Sequence, residues 1–112
     1  MERINYSQLV QELVKEHYSY HVQDKTTESQ LILDTERHHY QILHVGWEEN
    51  GMHRVYGCTM HIDIKGDKIW IQQDMTEVGV ANELVAAGVP KDDIVLAYRA
   101  PHNRKFTGFA VE

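Results

Sequence analysis

Two tight-turn dipeptides on either side of one long alternating segment constrain this fold more than any other feature. Asn50-Gly51 and Gly66-Asp67 are typical of two-residue β-hairpin loops. They predict antiparallel strands over residues 38–47, 52–65 and 68–74. Because a slip of one residue would turn every side chain to the other face, the two turns also predict which residues share a face.

One face of this predicted sheet collects large apolar side chains. A two-residue loop at Gly66-Asp67 places Ile64 opposite Ile69 and Ile62 opposite Ile71. A loop of even length at Asn50-Gly51 extends the same face into the preceding strand. We therefore expect the following side chains to form the core face, beneath helices: Leu43, Val45, Trp47, Tyr56, Cys58, Met60, Ile62, Ile64, Ile69 and Ile71.

The opposite face is predicted to mix polar and apolar side chains. Its predicted cross-strand pairs are Asp63 with Trp70, His61 with Gln72 and Thr59 with Asp74. Its other apolar members are Tyr40, Ile42 and Val55, with Leu31 and Leu33 as candidates. So much apolar area on an open sheet face indicates that something covers it. For Trp70 we expect that cover to be another part of the chain or a second subunit.

Two helices are predicted from the spacing of apolar residues. Apolar side chains three and four positions apart predict an amphipathic helix over residues 3–19, and His17 is expected to pack along it. Thr76 is the predicted N-cap of a second helix, with Glu77 in its first turn. Gly88 is the predicted left-handed residue that ends this helix.

Shorter strands complete the predicted architecture, over residues 30–34, 94–98 and 106–111. The sequence thus predicts one α+β domain over all 112 residues. Its elements are an N-terminal helix, an antiparallel sheet of four or more strands in hairpins, a second helix and C-terminal strands.

Charge and cysteine content narrow the class of protein. Seventeen acidic against eleven basic side chains give a net charge of −6, which disfavours independent binding to DNA. The single cysteine, Cys58, excludes an intramolecular disulfide and a multi-cysteine zinc site. No apolar run approaches the ~20 residues that span a bilayer, and no signal-peptide core precedes the domain. We therefore expect a cytoplasmic protein without membrane contact.

One segment departs from the acidic character of the chain. Residues 94–111 contain no acid and hold Arg99, His102, Arg104 and Lys105. This basic segment is either a solvated terminal stretch or a contact for phosphate or an acidic partner.

The strongest candidate for chemistry is a pair on one strand. His61 and Asp63 lie two residues apart, with Asp74 expected nearby across the hairpin. An imidazole with carboxylates can bind a divalent metal or act as acid and base. Alternating polar residues on any solvated strand give the same pattern, so the residues alone predict no catalytic site, metal or cofactor.

Other candidate groups are weaker. His38 and His39 point to opposite faces of a strand and cannot chelate together, and Glu77 and Glu83 do not share a helix face. Cys58 lies on the predicted core face, where a thiol is inert. No phosphate-binding glycine loop and no serine elbow occur. From the residues alone we expect a small binding or assembly module.

From Ile42 onward the sequence resembles the XisI family, the fdxN-element excision controlling factors of cyanobacteria. The longest matching segment is HIDIKGDKIWIQQD at residues 61–74. Shorter ones are HVGW, RVYG, TE, ANELV, AGVP, DIVL and TGFAV, which begin at residues 44, 54, 76, 81, 87, 93 and 107. The chain departs from the family at Met75, where glycine is usual, and at residues 97–101, which replace a Gly-Phe-His-Pro-Pro-like stretch.

The resemblance implies a role in programmed excision of a DNA element during heterocyst differentiation. Family members act with a site-specific recombinase and with XisH, a companion that looks like an endonuclease-fold protein. The resemblance implies no catalytic residues. We therefore expect an accessory or regulatory factor that binds a protein, with a XisH-like partner, rather than an enzyme. Restraint of a nuclease-like partner, as in a toxin–antitoxin pair, is a broader form of this role.

Assembly, DNA binding, an alternative function and the binding residues complete the expectations. A homodimer is an alternative assembly, and no direct DNA binding is expected of the chain alone. The alternative function is a small metal-dependent hydrolase or nuclease that uses His61, Asp63 and Asp74. The candidate partner-binding residues are Asp63, Trp70, Gln72, Asp74, Thr76, Glu77, Arg99, His102, Arg104 and Lys105.

Overall fold

A computed structural model describes residues 4–21 and 23–112, and in it two helices lie on one side of a five-stranded sheet. The helices are α1 (Tyr6–Ser19) and α2 (Val80–Ala86). The strands are β1 (Thr27–Asp34), β2 (His39–Trp47), β3 (Arg54–Lys65), β4 (Lys68–Asp74) and β5 (Ile94–Leu96). They are ordered β1-β2-β3-β4-β5; the first four are antiparallel, and β5 runs parallel to β4. The predicted α+β architecture is confirmed.

Helix α1 begins where a side chain satisfies its first free amide. Asn5 is the N-cap, and its Oδ1 accepts a hydrogen bond from Gln8 N at 3.0 Å. The buried stripe of α1 is Val10, Leu13 and Val14. The helix was predicted from residue 3, and residues 1–3 lie outside the described residues.

The Gly66-Asp67 turn is confirmed. The hairpin predicted at Asn50-Gly51 also forms, but its loop runs over residues 48–53, so β3 begins at Arg54 rather than at residue 52. Gly66 and Asp67 have φ of +54° and +63° between the paired Lys65 and Lys68, as a type I′ turn requires. Gly51 has φ of +69° in the loop between Trp47 and Arg54, which pair with each other.

The register at the Gly66-Asp67 end is also confirmed. Ile62 pairs with Ile71, Ile64 with Ile69, and Asp63 with Trp70. Ile62, Ile69 and Ile71 are fully buried, and Ile64 is half-buried against the same core.

The predicted core face is wrong beyond Met60, because β3 contains an extra residue there. Ile42 pairs with Met60 but Leu43 pairs with Cys58, so Thr59 has no counterpart in β2. Such a bulge reverses the alternation of one strand relative to the other. The side chains predicted inside that lie on the other face are Leu43, Val45, Trp47, Tyr56 and Cys58.

The same bulge moves the residues that were predicted outside. Tyr40 and Ile42 are fully buried beside Ile62, and their β1 partners Leu33 and Leu31 pack against this core. Val55, paired with Gly46, is also on the helix side. The buried Tyr40 hydroxyl is satisfied by Ser7 Oγ at 2.7 Å and His38 Nδ1 at 2.8 Å.

A second bulge lies in β4. Ile62 pairs with Ile71 but His61 pairs with Gln73, which leaves Gln72 without a counterpart. The predicted pairs of His61 with Gln72 and of Thr59 with Asp74 are therefore wrong, and Asp74 pairs with Met60.

Helix α2 begins later than predicted but ends as predicted. Its N-cap is Gly79, with φ of +91°, rather than Thr76. At its end Gly88 has φ of +103° and donates to Val85 O, while Val89 N donates to Leu84 O, each at 3.0 Å. These are the two hydrogen bonds of a Schellman motif.

The C-terminal segment forms less strand than predicted. Of residues 94–98 only Ile94–Leu96 is strand, and residues 101–106 form a 3₁₀ turn. Ala110 makes a single parallel bridge to Val95. Met75 is not among the described residues with positive φ. Neither described helix is long and apolar enough to cross a membrane.

Candidate functional site

The sheet face opposite the helices, which we call the outer face, is the candidate functional surface. Val14 of α1 and Leu84 of α2 enter one core with Ile62, so both helices lie on the same side. His17 joins the helices, with its Nε2 2.7 Å from Glu83 Oε2. No described helix therefore packs on the outer face of β1–β3.

The end of the outer face near the β2–β3 loop is apolar and exposed. Trp47 is 48% exposed and Tyr56 is 69% exposed. Val45 pairs with Tyr56, and Leu43 pairs with Cys58, one step further along. Together they form an apolar patch on the sheet face, and Arg54 Cζ lies 5.6 Å from the centroid of the Trp47 ring. Exposed aromatic side chains of this kind are typical of a binding surface.

Cys58 was predicted to lie on the core face, but it lies in this patch. The thiol is half-buried, and its Sγ donates to Met60 O at 3.1 Å. Burial raises the pKa of Cys58 above its usual value. A raised pKa lowers the fraction of thiolate, so low reactivity of Cys58 stays a prediction, while the predicted face was wrong.

The other end of the outer face carries a cluster of His39, His61 and Asp63, which we call the His–Asp cluster. Register places His39 of β2 directly opposite Asp63 of β3. His39 Nδ1 and His61 Nε2 each donate to Asp63 Oδ1, at 2.8 Å in both cases. The sequence identified His61 and Asp63 but missed His39, because a residue on a different strand joins the cluster only through the register.

The Asp63 carboxylate is held in place from two sides. Its side chain is 7% exposed, and Gln72 Nε2 donates to its Oδ2 at 3.2 Å. Burial acts to raise the pKa of Asp63, but the hydrogen bonds and charges of His39 and His61 outweigh it and hold the pKa below its usual value. Asp63 is therefore ionised at neutral pH.

Asp74, predicted near His61 and Asp63, is not part of the cluster. It pairs with Met60 on the helix side, and its carboxylate is used by the β4–α2 connection. Oδ1 accepts from Thr76 N at 2.9 Å and Thr76 Oγ1 at 2.6 Å, and Oδ2 accepts from Val80 N at 2.7 Å. The predicted trio of His61, Asp63 and Asp74 is thus not assembled.

We expect Asp74→Ala to destabilise the protein by about 1.5–3 kcal/mol, because the start of α2 loses a charged acceptor. Urea unfolding followed by circular dichroism measures the change in the free energy of unfolding. Asp92→Ala, which removes an exposed carboxylate from a 3₁₀ turn, is the control. Equal stability of the two variants would contradict the assigned role of Asp74.

The candidate residues near Asp74 lie at or before the start of α2 and do not join the His–Asp cluster. Thr76 Oγ1 accepts from Gly79 N at 3.1 Å instead of capping the helix directly. Glu77 is exposed and precedes α2, so it is not in the first helical turn. Glu83 contacts His17 and is separate from Glu77.

Trp70 is half-buried on the outer face beside Asp63, and side chains of the chain itself contact it. Lys65 Nζ lies 5.0 Å and Arg104 Cζ lies 5.7 Å from the centroid of its ring. Of the two covers expected for Trp70, the structure therefore shows a part of the same chain.

The basic segment is folded against its own backbone and aromatic rings. Arg104 donates to Arg99 O and to Ala97 O, each at 3.1 Å. Arg99 Cζ lies 5.4 Å from the Tyr98 ring and Lys105 Nζ lies 5.1 Å from the Phe106 ring. His102 is exposed. Arg104 is thus held by its own segment, whereas Arg99 and Lys105 are exposed beside neighbouring rings.

Concave features lie away from the His–Asp cluster. A 560 Å³ cavity is lined by residues that include Tyr6, Ile64 and Asp93. Two further cavities, near Arg99 and near Lys25, are also not lined by the cluster. The His39 side chain, 45% exposed, lies at the surface of the sheet.

Comparison with known proteins identifies similar sequences and structures. The family described as XisI protein matches residues 1–111. A crystal structure of a XisI-like protein from Anabaena variabilis ATCC 29413 is 48% identical, with a TM-score of 0.89. A crystal structure of the fdxN element excision controlling factor XisI from the same organism is 34% identical, with a TM-score of 0.85. Each alignment covers 96% of both chains. No curated protein matches the chain.

Proposed function

Because this chain belongs to the XisI family, we propose that it is a non-enzymatic regulatory protein that binds another protein through its outer face. The process it regulates is excision of a DNA element, as the name of the 34% identical structure says of that protein. The exposed apolar patch of β2 and β3, on the part of the outer face that neither α1 nor α2 covers, is the observation that carries the proposal.

The shape of the surface supports protein binding over catalysis. Trp47 and Tyr56 present large exposed rings on adjacent strands, and aromatic side chains are enriched at the centres of protein interfaces. Exposed acids border them, with Glu48 and Glu49 in the loop and Glu28 opposite Val45. An enzyme site needs polar groups that converge in a concave pocket, and the cavities described above do not contain the His–Asp cluster.

Charge indicates the chemistry of the partner. The chain has a net charge of −6, and complementary charge favours encounter with a basic protein. A protein that handles DNA has such a basic surface. The proposed partner is therefore a XisH-like protein with a nuclease fold, whose DNA-binding surface this chain would occlude or orient.

Co-purification with the product of the neighbouring gene tests the proposal. Tyr56→Lys should weaken the complex by about 30-fold or more, since a central aromatic contact is lost and a charge is buried. Tyr20→Lys is the matched control, because Tyr20, the C-cap of α1, is 67% exposed, against 69% for Tyr56. A complex that both variants form normally would contradict docking on the outer face.

The same variants distinguish the homodimer from a partner complex. If the patch joins two copies of the chain, sedimentation of the isolated protein should show a dimer that Tyr56→Lys converts to monomer. A monomer at micromolar concentration that binds its partner supports the proposal. A tight dimer that excludes the partner would overturn it.

We expect the isolated protein not to shift duplex DNA in a gel at ~150 mM salt. Useful affinity needs several phosphate contacts, and Arg99, Arg104 and Lys105 contact their own rings and carbonyls. The shift should occur only with the partner present. A sub-micromolar shift by the protein alone, lost in Arg99→Glu, would contradict partner binding and assign function to the basic segment.

A further inference from the structure

The three side chains of the His–Asp cluster converge on one small volume. His39 Nδ1, His61 Nε2 and an Asp63 oxygen lie within 4.8 Å of one another. They come from two adjacent strands whose pairing fixes their positions. We propose that this cluster is a binding site for one divalent transition-metal ion, with zinc as the best-matched ion.

The ligand types select the metal. Two imidazole nitrogens and one carboxylate suit zinc, iron, nickel or copper, whereas magnesium and calcium prefer oxygen ligands. Zinc binds nitrogen and oxygen at about 2.0–2.2 Å, so two ligand atoms on a tetrahedral ion lie roughly 3.4 Å apart. Each histidine nitrogen lies 2.8 Å from Asp63 Oδ1. These two gaps are roughly half an ångström short of that spacing, and all three ligand atoms lie within 4.8 Å of one another, so small side-chain rotations would admit the ion. The nitrogen of each ring that binds the ion must then carry no proton, and the proton of a neutral ring moves to its other nitrogen.

Two glutamine side chains are placed to orient the proposed metal ligands. Gln72 Nε2 donates to Asp63 Oδ2, which leaves Oδ1 directed at the histidines. Gln41 lies against the other nitrogen of His61, with Nε2 3.4 Å from Nδ1. When His61 binds metal through Nε2, its Nδ1 carries the proton, and a flipped Gln41 amide accepts it through Oε1.

The cluster is also accessible from solvent. The His39 side chain is 45% exposed and the His61 side chain is 28% exposed, while Asp63 is 7% exposed. An ion could enter past His39 and rest on a fixed carboxylate. Three protein ligands leave at least one coordination position for water or for a side chain of a bound partner. The site thus extends the proposed docking surface but does not depend on it.

Calorimetric titration of metal-free, untagged protein with zinc chloride tests the proposal. We expect one equivalent to bind at micromolar or lower concentration. His39→Gln and His61→Gln should each weaken binding by more than the roughly 10–100-fold that loss of a supporting side chain costs. Both histidines are partly exposed, so these variants should fold, and circular dichroism verifies it.

His53→Gln is the matched control. His53 Nδ1 lies 3.1 Å from Glu48 Oε2, which makes an exposed histidine–carboxylate pair that no second histidine of residues 4–21 and 23–112 joins into a metal-binding group. Its removal should leave zinc affinity unchanged. Equal weakening by His53→Gln would show adventitious binding to surface histidines and overturn the proposal.

Cobalt provides a second, spectroscopic readout. Bound cobalt(II) should give visible absorption bands that disappear in His39→Gln and persist in His53→Gln. Bands that persist in His39→Gln, or no zinc binding at tens of micromolar, would overturn the site. Because partner binding is measured separately with Tyr56→Lys, failure of the metal site and failure of the docking proposal are distinguishable.

Discussion

Ile62→Ala should lower the free energy of unfolding by about 2–5 kcal/mol, because it leaves a cavity at the centre of the core. Ile62 is fully buried between its neighbours Tyr40 and Ile71 on adjacent strands. Chemical denaturation followed by tryptophan fluorescence measures the loss. An expected stability of only 5–15 kcal/mol makes this a large fraction of the total.

Ile32→Ala is the matched control for that prediction. Ile32 pairs with Gln41 on the outer face and is half-buried, so its truncation should cost clearly less. A loss at Ile32 as large as the loss at Ile62 would contradict the placement of Ile32 on the open outer face of the isolated chain.

Gly46→Ala should be as damaging as the core truncation, at about 2–6 kcal/mol, because strain and overpacking add. Gly46 has φ of +147°, and an added Cβ would lie 2.1 Å from Thr26 O. That oxygen accepts the hydrogen bond from Trp47 N at 2.9 Å. The β1 and β2 ends must therefore separate, and their ladder must weaken, to admit one methyl group.

Gly57→Ala tests whether this effect is local to Gly46. Gly57 lies on the neighbouring strand, pairs with His44, and has nothing within 4 Å of an added Cβ. Its replacement should change the midpoint of thermal unfolding far less than Gly46→Ala does. Similar midpoints for the two variants would show that close approach to Thr26 is not what requires glycine at position 46.

Local chemistry made much of the fold predictable from sequence. The Gly66-Asp67 turn and the isoleucine pairs beside it follow from two positive φ angles and strict alternation, with no information from distant residues. The Schellman motif at Gly88 is likewise a property of its own turn. The N-cap of α1 is local in the same way, because Asn5 accepts a hydrogen bond from an amide only three residues away.

The start of α2 was predicted wrongly because a carboxylate two residues away, which the sheet holds in position, binds the predicted cap residue. Thr76 has the chemistry of an N-cap, yet Asp74 at the end of β4 accepts from both its amide and its hydroxyl. A stronger, charged acceptor thus displaces the cap that propensity favours. The position of that carboxylate is set by the sheet, which helix signals do not report.

The candidate site was likewise predictable only where its residues lie on one strand. Spacing identified His61 and Asp63 because residues two apart on a strand share a face. The presence of His39 in the cluster and the absence of Asp74 from it depend on pairing between strands. Tyr56 is on the outer face because Thr59 is an extra residue in β3. Each of these facts changes if one strand slips by a single residue.

The sequence by itself determined the hairpins, the helical stripe of α1, the acidic surface and the family resemblance, since each rests on neighbouring residues or on composition. The tertiary structure decided which apolar face is covered. Bulges at Thr59 and Gln72 reverse the alternation within otherwise regular strands. Neither bulged residue is a glycine or a proline, so the sequence does not mark the bulges. The register that they produce buries Tyr40 and Ile42 in the core with residues of α1. A bulge is chosen by the energy of the whole core, which no local pattern contains.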